Sequence, residues 1–284
     1  MIPAAFDYVA PTTLDEAVAA LRDAGDDAKV IAGGQSLMPV LRLRMADPSV
    51  LVDLGRVDGL RGTRLDGDTL VIGATTTHHE VRHDPFVAEH ARLLTEATAT
   101  VADPQIRHRG TIGGALAHAD PAGDLSAPAL AVDAEFTVIG PQGSRTVAAA
   151  DFFEDYFTTA LRPDEILAEI RVPLHTGWAA RYEKFHRVAQ QWSIVGVAAT
   201  IDTDGGTIRH AKVALTNMAP VPVRARTVED ALVGRPATVD TVRAAALHAT
   251  DCTDPMSDAN ADAEYRGHLA QVLTRRAVTT AAGL

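Results

Sequence analysis

The sequence predicts an α+β fold in which two small α/β units are followed by a three-stranded antiparallel sheet with helices. Three patterns predict it. Apolar strand-like runs alternate with a helix-period stretch over residues 1–57, and short strands divided by glycine and proline turns fill 58–177. Beyond a boundary near residue 177, three longer strand-like runs precede three helical segments over 178–284.

The first unit opens with a capping box, Thr13 and Glu16, ahead of Leu14, Ala17, Val18 and Leu21 at helical spacing, and Gly25 stops that helix. An apolar strand, Lys29-Val30-Ile31-Ala32, then runs into Gly33-Gly34-Gln35-Ser36. Ser36 reads as the N-cap of a short helix carrying Leu37, Val40 and Leu41. Pro48 marks a turn before the strand Val50 to Asp53, which completes a βαβ-like unit.

In the second unit, the strand Thr69 to Gly73 leads to a polar stretch ending at His78, and Phe86 to Thr100 reads as one helix. Arg109-Gly110-Thr111-Ile112-Gly113-Gly114 follows, then a loop from His118 to Asp124. Pro141 to Ser144 is a hairpin turn between two strands, and a strand from Ile166 ends at Pro173. In the third unit the strands are Arg181–Val188, Ser193–Asp202 and Thr207–Leu215, the last two joined around Asp204-Gly205-Gly206. The final helix covers about Ala261 to Thr279.

Lys and Arg total 26 against 37 Asp and Glu, a net charge of −11 that repels phosphate backbones, so nucleic acid is not an expected partner. The one cysteine, Cys252, supports neither an internal disulfide nor an iron–sulfur cluster, which takes about four ligands. The N-terminal stretch shows no signal-peptide pattern, and no apolar run reaches the roughly 18 residues of a membrane span. A cytoplasmic protein is expected.

Gly33-Gly34 and Gly113-Gly114 carry the chemistry. Diglycine bends beside apolar stretches can turn consecutive amides inward as an anion nest, and Gln35, Ser36 and Thr111 add hydrogen-bond donors. Two ordinary tight turns, in which glycine only supplies positive φ, would read the same way. Neither G-x-G-x-x-G nor a phosphate-binding P-loop is present, which disfavours a Rossmann nucleotide site and leaves a diphosphate ligand open.

His79-Glu80-Val81-Arg82-His83 matches the zinc-protease pattern HExxH. Pro85 follows at once and biases Asp84 away from helix, so the scaffold is too short, and the segment reads as a polar first turn. No metal site and no catalytic residue are expected. Ser126 and Ser193 lack a nucleophile-elbow context, and Asp120 beside Asp124 reads equally as loop capping.

Taken in order, five segments resemble one family closely. KVIAGGQSLMPVLRLRMADPSVLVDLGRV and RGTIGGALAHADPAGDLSAPALAVDA resemble the two flavin loops of the FAD subunits of molybdenum hydroxylases. FFEDYFTTALRPDEILAEIRVP, RYEKFHRVAQQWSIVGVAA and ADAEYRGHLAQVLTRRAV continue the likeness over nearly the whole chain. The group includes the medium subunit of aerobic carbon monoxide dehydrogenase and the flavin domain of xanthine dehydrogenase. The resemblance implies a two-subdomain FAD-binding domain of the vanillyl-alcohol-oxidase (PCMH) type, 1–177 with subdomains of about 1–57 and 58–177. A C-terminal α+β domain, 178–284, of the carbon monoxide dehydrogenase flavoprotein type follows.

By the same resemblance, Ala32, Gly33, Gly34, Gln35 and Ser36, helped by Lys29 and Val30, wrap the FAD pyrophosphate, and Thr111, Ile112, Gly113 and Gly114 bind it from the opposite side. Gln35 replaces a histidine found in some relatives. Asp124 matches an acidic residue that accepts from cofactor hydroxyls. Leu161 and Lys184 match positions near the flavin or adenine, with plain core and a solvated strand face as their alternatives. Trp192 matches an aromatic near the isoalloxazine, or is a half-buried interdomain side chain. The implied function is an oxidoreductase subunit that passes electrons from iron–sulfur clusters of a partner through FAD to an external acceptor. The molybdenum cofactor and 2Fe-2S clusters then lie only in partner subunits, in a hetero-oligomer expected to be a dimer of heterotrimers. A self-contained FAD oxidoreductase and a flavin-free assembly module are the alternatives.

Overall fold

The computed structural model describes residues 1–284 and contains three main sheets. The first is parallel: β1 (Asp7–Val9) and β2 (Ala28–Ile31) flank β3 (Val50–Asp53). Its helix α1 (Leu14–Ala24) forms as predicted. Thr13 and Glu16 cap each other's backbone, and Gly25, at φ 64°, ends it. Parallel neighbours require a crossover, and α2 (Leu37–Arg42) with the loop before it supplies the one between β2 and β3. Ala17, Val18 and Leu21 of α1 pack on Val52 and Leu54, and also on Ile166 and Ala168 from the next sheet.

The second sheet is antiparallel, in the order β4 (Thr63–Asp66), β5 (Thr69–Gly73), then β10 (Ile166–Pro173), β6 (Glu135–Gly140) and β7 (Gly143–Ala148). Gly143, at φ 104°, closes the predicted β6–β7 hairpin. Helices α3 (His78–His83), α4 (Pro85–His90), α5 (Arg92–Ala99), α6 (Pro104–Arg107), α7 (Ile112–His118), α8 (Ser126–Ala131) and α9 (Ala149–Phe152) belong to this region, with a small hairpin of β8 (Phe153–Asp155) and β9 (Thr158–Thr159). The single helix expected over 86–100 is two. The chain breaks at Ala91 (φ −143°, ψ 48°), where the His90 carbonyl accepts from the His175 N–H instead of a helical amide.

The third sheet is antiparallel: β11 (Ala179–Phe185), β12 (Val195–Asp204), β13 (Thr207–Thr216) and a two-residue fourth strand, β14 (Val223–Arg224). The three strands read from the sequence are present. The extra one starts directly after Pro222, which lacks the N–H a ladder needs. Helices α10 (Arg226–Leu232), α11 (Val239–Ala246) and α12 (Ala263–Ala281) cover the sheet, with Val228, Leu232, Leu269 and Leu273 in their shared core. The opposite side contributes Ala180, Tyr182, Ala198 and Ala214 to the core of the second sheet. Apolar packing therefore runs without interruption across that seam. No helix is long and apolar enough to cross a membrane.

Candidate functional site

The loop Ala32–Ser36 joins the end of β2 to α2. The N–H groups of Gly33, Gly34, Gln35 and Ser36 donate to no acceptor within the chain. These residues are half-buried, so the four consecutive donors are open to solvent or to an external acceptor, the arrangement of an anion-binding nest. Gly34 takes φ 73°, a conformation costly for any residue with a Cβ, and the Gln35 side chain folds back so that Nε2 donates to the Gly33 carbonyl at 3.3 Å. Ser36 takes the expected N-cap position of α2 but does not cap it with its side chain. Its backbone is already helical (φ −95°, ψ −46°), and its hydroxyl makes no capping bond.

The second diglycine segment has different chemistry. Thr111 caps α7, its Oγ1 accepting from the Gly114 N–H at 3.2 Å. The Ile112 N–H donates to the Thr76 carbonyl at 3.0 Å and the Gly113 N–H to the Ala74 carbonyl at 2.9 Å. Those amides are spent inside the protein. Gly113 is needed for packing, since a Cβ there would lie 2.7 Å from the Ala74 oxygen. Gly114 is more open: beyond its own Thr111 cap, a Cβ would meet only the Ala32 methyl, at 3.9 Å.

The two loops touch. A Cβ on Gly33 would lie 2.7 Å from Gly110 Cα and closer still to the Arg109 carbonyl oxygen, so only glycine permits this approach. On the far side of Gly110 sits the buried His78 ring, whose Cδ2 would be 2.8 Å from a Cβ on Gly110. Gly110 is thus sandwiched between the first loop and His78.

Asp124 and Lys184 form a second cluster. Lys184 Nζ donates to Asp124 Oδ2 at 2.6 Å, with both side chains only 4% exposed, and reaches the Thr100 carbonyl at 3.3 Å. Asp124 Oδ1 accepts from Ser193 Oγ at 2.7 Å and from the Tyr182 hydroxyl at 3.0 Å. Burial pushes the Asp124 carboxyl above its ordinary value, with the Lys184 ammonium and both hydroxyls pulling against that. Burial and the Asp124 charge drive the Tyr182 hydroxyl well up, keeping it a donor. Three donors leave this carboxylate with about one free lone-pair position for any further hydroxyl.

The remaining predicted residues are more dispersed. Lys29 lies exposed on β2, and Val30 is half-buried against the core under the first sheet. Leu161 packs, half-buried, on the core of the second sheet. Trp192 is 50% exposed, next to Ser193 of the Asp124 cluster. In the HExxH segment, Glu80 completes a capping box with Thr77 and is bound by Arg61 Nε at 2.9 Å, so its carboxylate is committed. The His79 ring stacks on His108 at 3.8 Å, and His83 Nδ1 bonds the His79 carbonyl at 2.7 Å.

Comparison with known proteins fits this geometry. Residues 4–175 match the FAD binding domain in molybdopterin dehydrogenase, and residues 180–281 match the CO dehydrogenase flavoprotein C-terminal domain. The chain belongs to this flavoprotein family. It is 43% identical to the carbon monoxide dehydrogenase medium chain of Hydrogenophaga pseudoflava, covering 99% of this chain and 98% of that one. It is 36% identical to the 6-hydroxypseudooxynicotine dehydrogenase complex subunit alpha of Paenarthrobacter nicotinovorans, over 99% of this chain and 96% of the relative. A solved carbon monoxide dehydrogenase from Hydrogenophaga pseudoflava, lacking the Mo-pyranopterin moiety of its cofactor, superposes with a TM-score of 0.97 over 100% of this chain and 99% of that chain. The flavoprotein is an oxidoreductase subunit whose cofactor is FAD.

Within this flavoprotein, several neighbours of the site were not visible in the sequence. Ala74 and Thr76 absorb the second loop's amides, Arg109 and Gly110 receive the first loop, and Tyr182 and Ser193 hold Asp124. In the sequence, Arg109 and Gly110 stand in the second glycine segment and Ser193 reads only as a candidate nucleophile, but none reads as a site residue.

Proposed function

We propose that this subunit holds FAD between its two glycine loops and passes electrons from the iron–sulfur clusters of a partner chain to an external acceptor. The observation that carries the reading is the run of four unpaired amides, Gly33 to Ser36, lying against the second loop. Such a run suits a diphosphate, whose charge it meets with backbone donors that need no side chain. Gly114 leaves the facing wall bare, and Thr111 fixes the start of α7 beside it. Lys184 and Asp124 serve cofactor hydroxyls or ring atoms from the second cluster. Lys29, Val30 and Leu161 would line the edges of the site, and Trp192, between β11 and β12, would lie near the ring.

When bound, FAD supplies one- and two-electron chemistry. The chain's own part is to bind and orient the ring and to limit water around it. Substrate oxidation is assigned to a molybdenum-cofactor large chain, and the clusters to a small chain, since one cysteine, Cys252, cannot supply the roughly four ligands a cluster takes. We take residues 1–177, in subdomains of about 1–57 and 58–177, as the cofactor-holding unit and 178–284 as the second domain. The assembly we propose is a cytoplasmic dimer of heterotrimers.

The test is to co-express the three chains and record the visible spectrum before and after adding substrate under anaerobic conditions. Bleaching of a flavin band that needs both partner chains supports the relay. Bleaching by substrate with this chain alone favours a self-contained oxidoreductase, and absence of any flavin band favours an assembly module.

A further inference from the structure

We infer that Tyr182 and Ser193 are positioning residues of the cofactor site, through which the C-terminal sheet fixes the Asp124 carboxylate that would serve FAD. This rests on the proposed assignment of Asp124 and Lys184 to that site. The loop Ala119–Asp124 continues directly from α7, the helix whose first turn is the second glycine loop. An Asp120 turn shapes the loop from within, and the third sheet and its flanks hold it from outside. The Asn217 N–H donates to the Pro121 carbonyl at 2.9 Å, the Ser193 N–H to the Ala122 carbonyl at 3.3 Å, and Thr216 Oγ1 to the Gly123 carbonyl at 3.2 Å. Tyr182, Ser193 and Lys184 then take the Asp124 side chain itself.

The sheet is built around that grip. Gly196 on β12 pairs with Lys184 on β11, and a Cβ at Gly196 would lie 2.6 Å from the Tyr182 hydroxyl. The missing side chain is what lets the phenol reach Asp124. Asn217, at φ 61°, turns the chain so that its Nδ2 donates to the Ser193 carbonyl at 2.8 Å and holds the serine in place. Both hydroxyls share Oδ1, while Lys184 has Oδ2. The carboxylate is held at both oxygens, and the ammonium bound to it is held with it. Charge-assisted hydrogen bonds of this kind are short and directional, so losing two of them frees the carboxylate to rotate.

The experiment compares wild type with Y182F/S193A and S193T in the full chain, co-expressed with its partner subunits. FAD dissociation constants, the visible spectrum of bound FAD and the melting of apoprotein are recorded. We expect Y182F/S193A to bind FAD at least roughly tenfold more weakly, the size of one charged hydrogen bond. Its bound-flavin spectrum should shift, and S193T, which keeps the hydroxyl, should bind as wild type does. FAD binding and spectrum unchanged in Y182F/S193A would overturn the inference. So would weaker binding that merely follows a lower apoprotein melting temperature, with no spectral change and no rescue by threonine. Absence of FAD from wild type as well would instead overturn the cofactor assignment, and this inference with it.

Discussion

The two diglycine loops look alike in sequence and do opposite physical work. In Gly33-Gly34 the glycines free the backbone: four amides stay unpaired, and one residue sits at positive φ. In Gly113-Gly114 the amides are consumed by the Ala74 carbonyl and the Thr111 cap, and Gly113 lets α7 close onto Ala74. A glycine pair therefore states only that side chains are unwelcome. Whether a ligand or the protein itself takes the space depends on where the neighbouring carbonyls lie.

The largest effect that would break this contrast comes from Gly33→Val. Its side chain would drive into the Arg109–Gly110 backbone, parting the loops, and we expect purified protein without flavin absorbance. Full FAD content in that variant would mean the first loop is not the binding loop.

Acid stability reports on the wall behind the second loop. Burial, with help from the Arg107 guanidinium, lowers His78 from 6.5 to about 4, and its Nδ1 has no partner. Between those values the unfolded chain binds a proton that the folded chain refuses, so this stabilisation is complete above pH 6.5 and drains away toward pH 4. At 1.36 kcal/mol per unit the loss is on the order of 3 kcal/mol. Denaturant titrations from pH 7 to 4 should show it, and His78→Leu should flatten the slope. His175, lowered to about 4 chiefly by burial, contributes a slope that persists in the variant.

A smaller effect sharpens the contrast directly. Gly113→Ala presses on Ala74 and should cost about 1–3 kcal/mol of stability, the usual penalty for overpacking. Gly114→Ala need displace only the Thr111 hydroxyl, 2.7 Å from the new Cβ, and should cost less stability but more FAD affinity. Thermal melts beside FAD titrations separate the two, and identical behaviour would erase the distinction between packing and lining glycines.

The smallest effect is expected from His79→Ala with His83→Ala. Glu80 is engaged by Thr77 and Arg61, His83 bonds the His79 carbonyl, and the His79 ring stacks on His108. FAD content and turnover of the assembled enzyme should stay as in wild type. Loss of a stoichiometric metal on mutation would restore the zinc reading of this segment.

Local signals decided what the sequence could determine unaided. The capping box at Thr13 and Glu16, the Gly25 stop, the Pro141–Gly143 hairpin and the Gly205-Gly206 turn all depend on residues within a few positions of each other, and all are present. The order of the glycine loops, and with it the family likeness, was legible for the same reason. Tertiary structure alone decided which loop keeps its amides, because the acceptors for Ile112 and Gly113 lie at Thr76 and Ala74, on another strand end. It also decided that Asp124 meets Lys184, 60 positions away, and that Ser36 leaves its helix uncapped. Hydrogen bonds between distant segments depend on sheet register and helix approach, and those follow from how the whole core closes rather than from the residues beside each group.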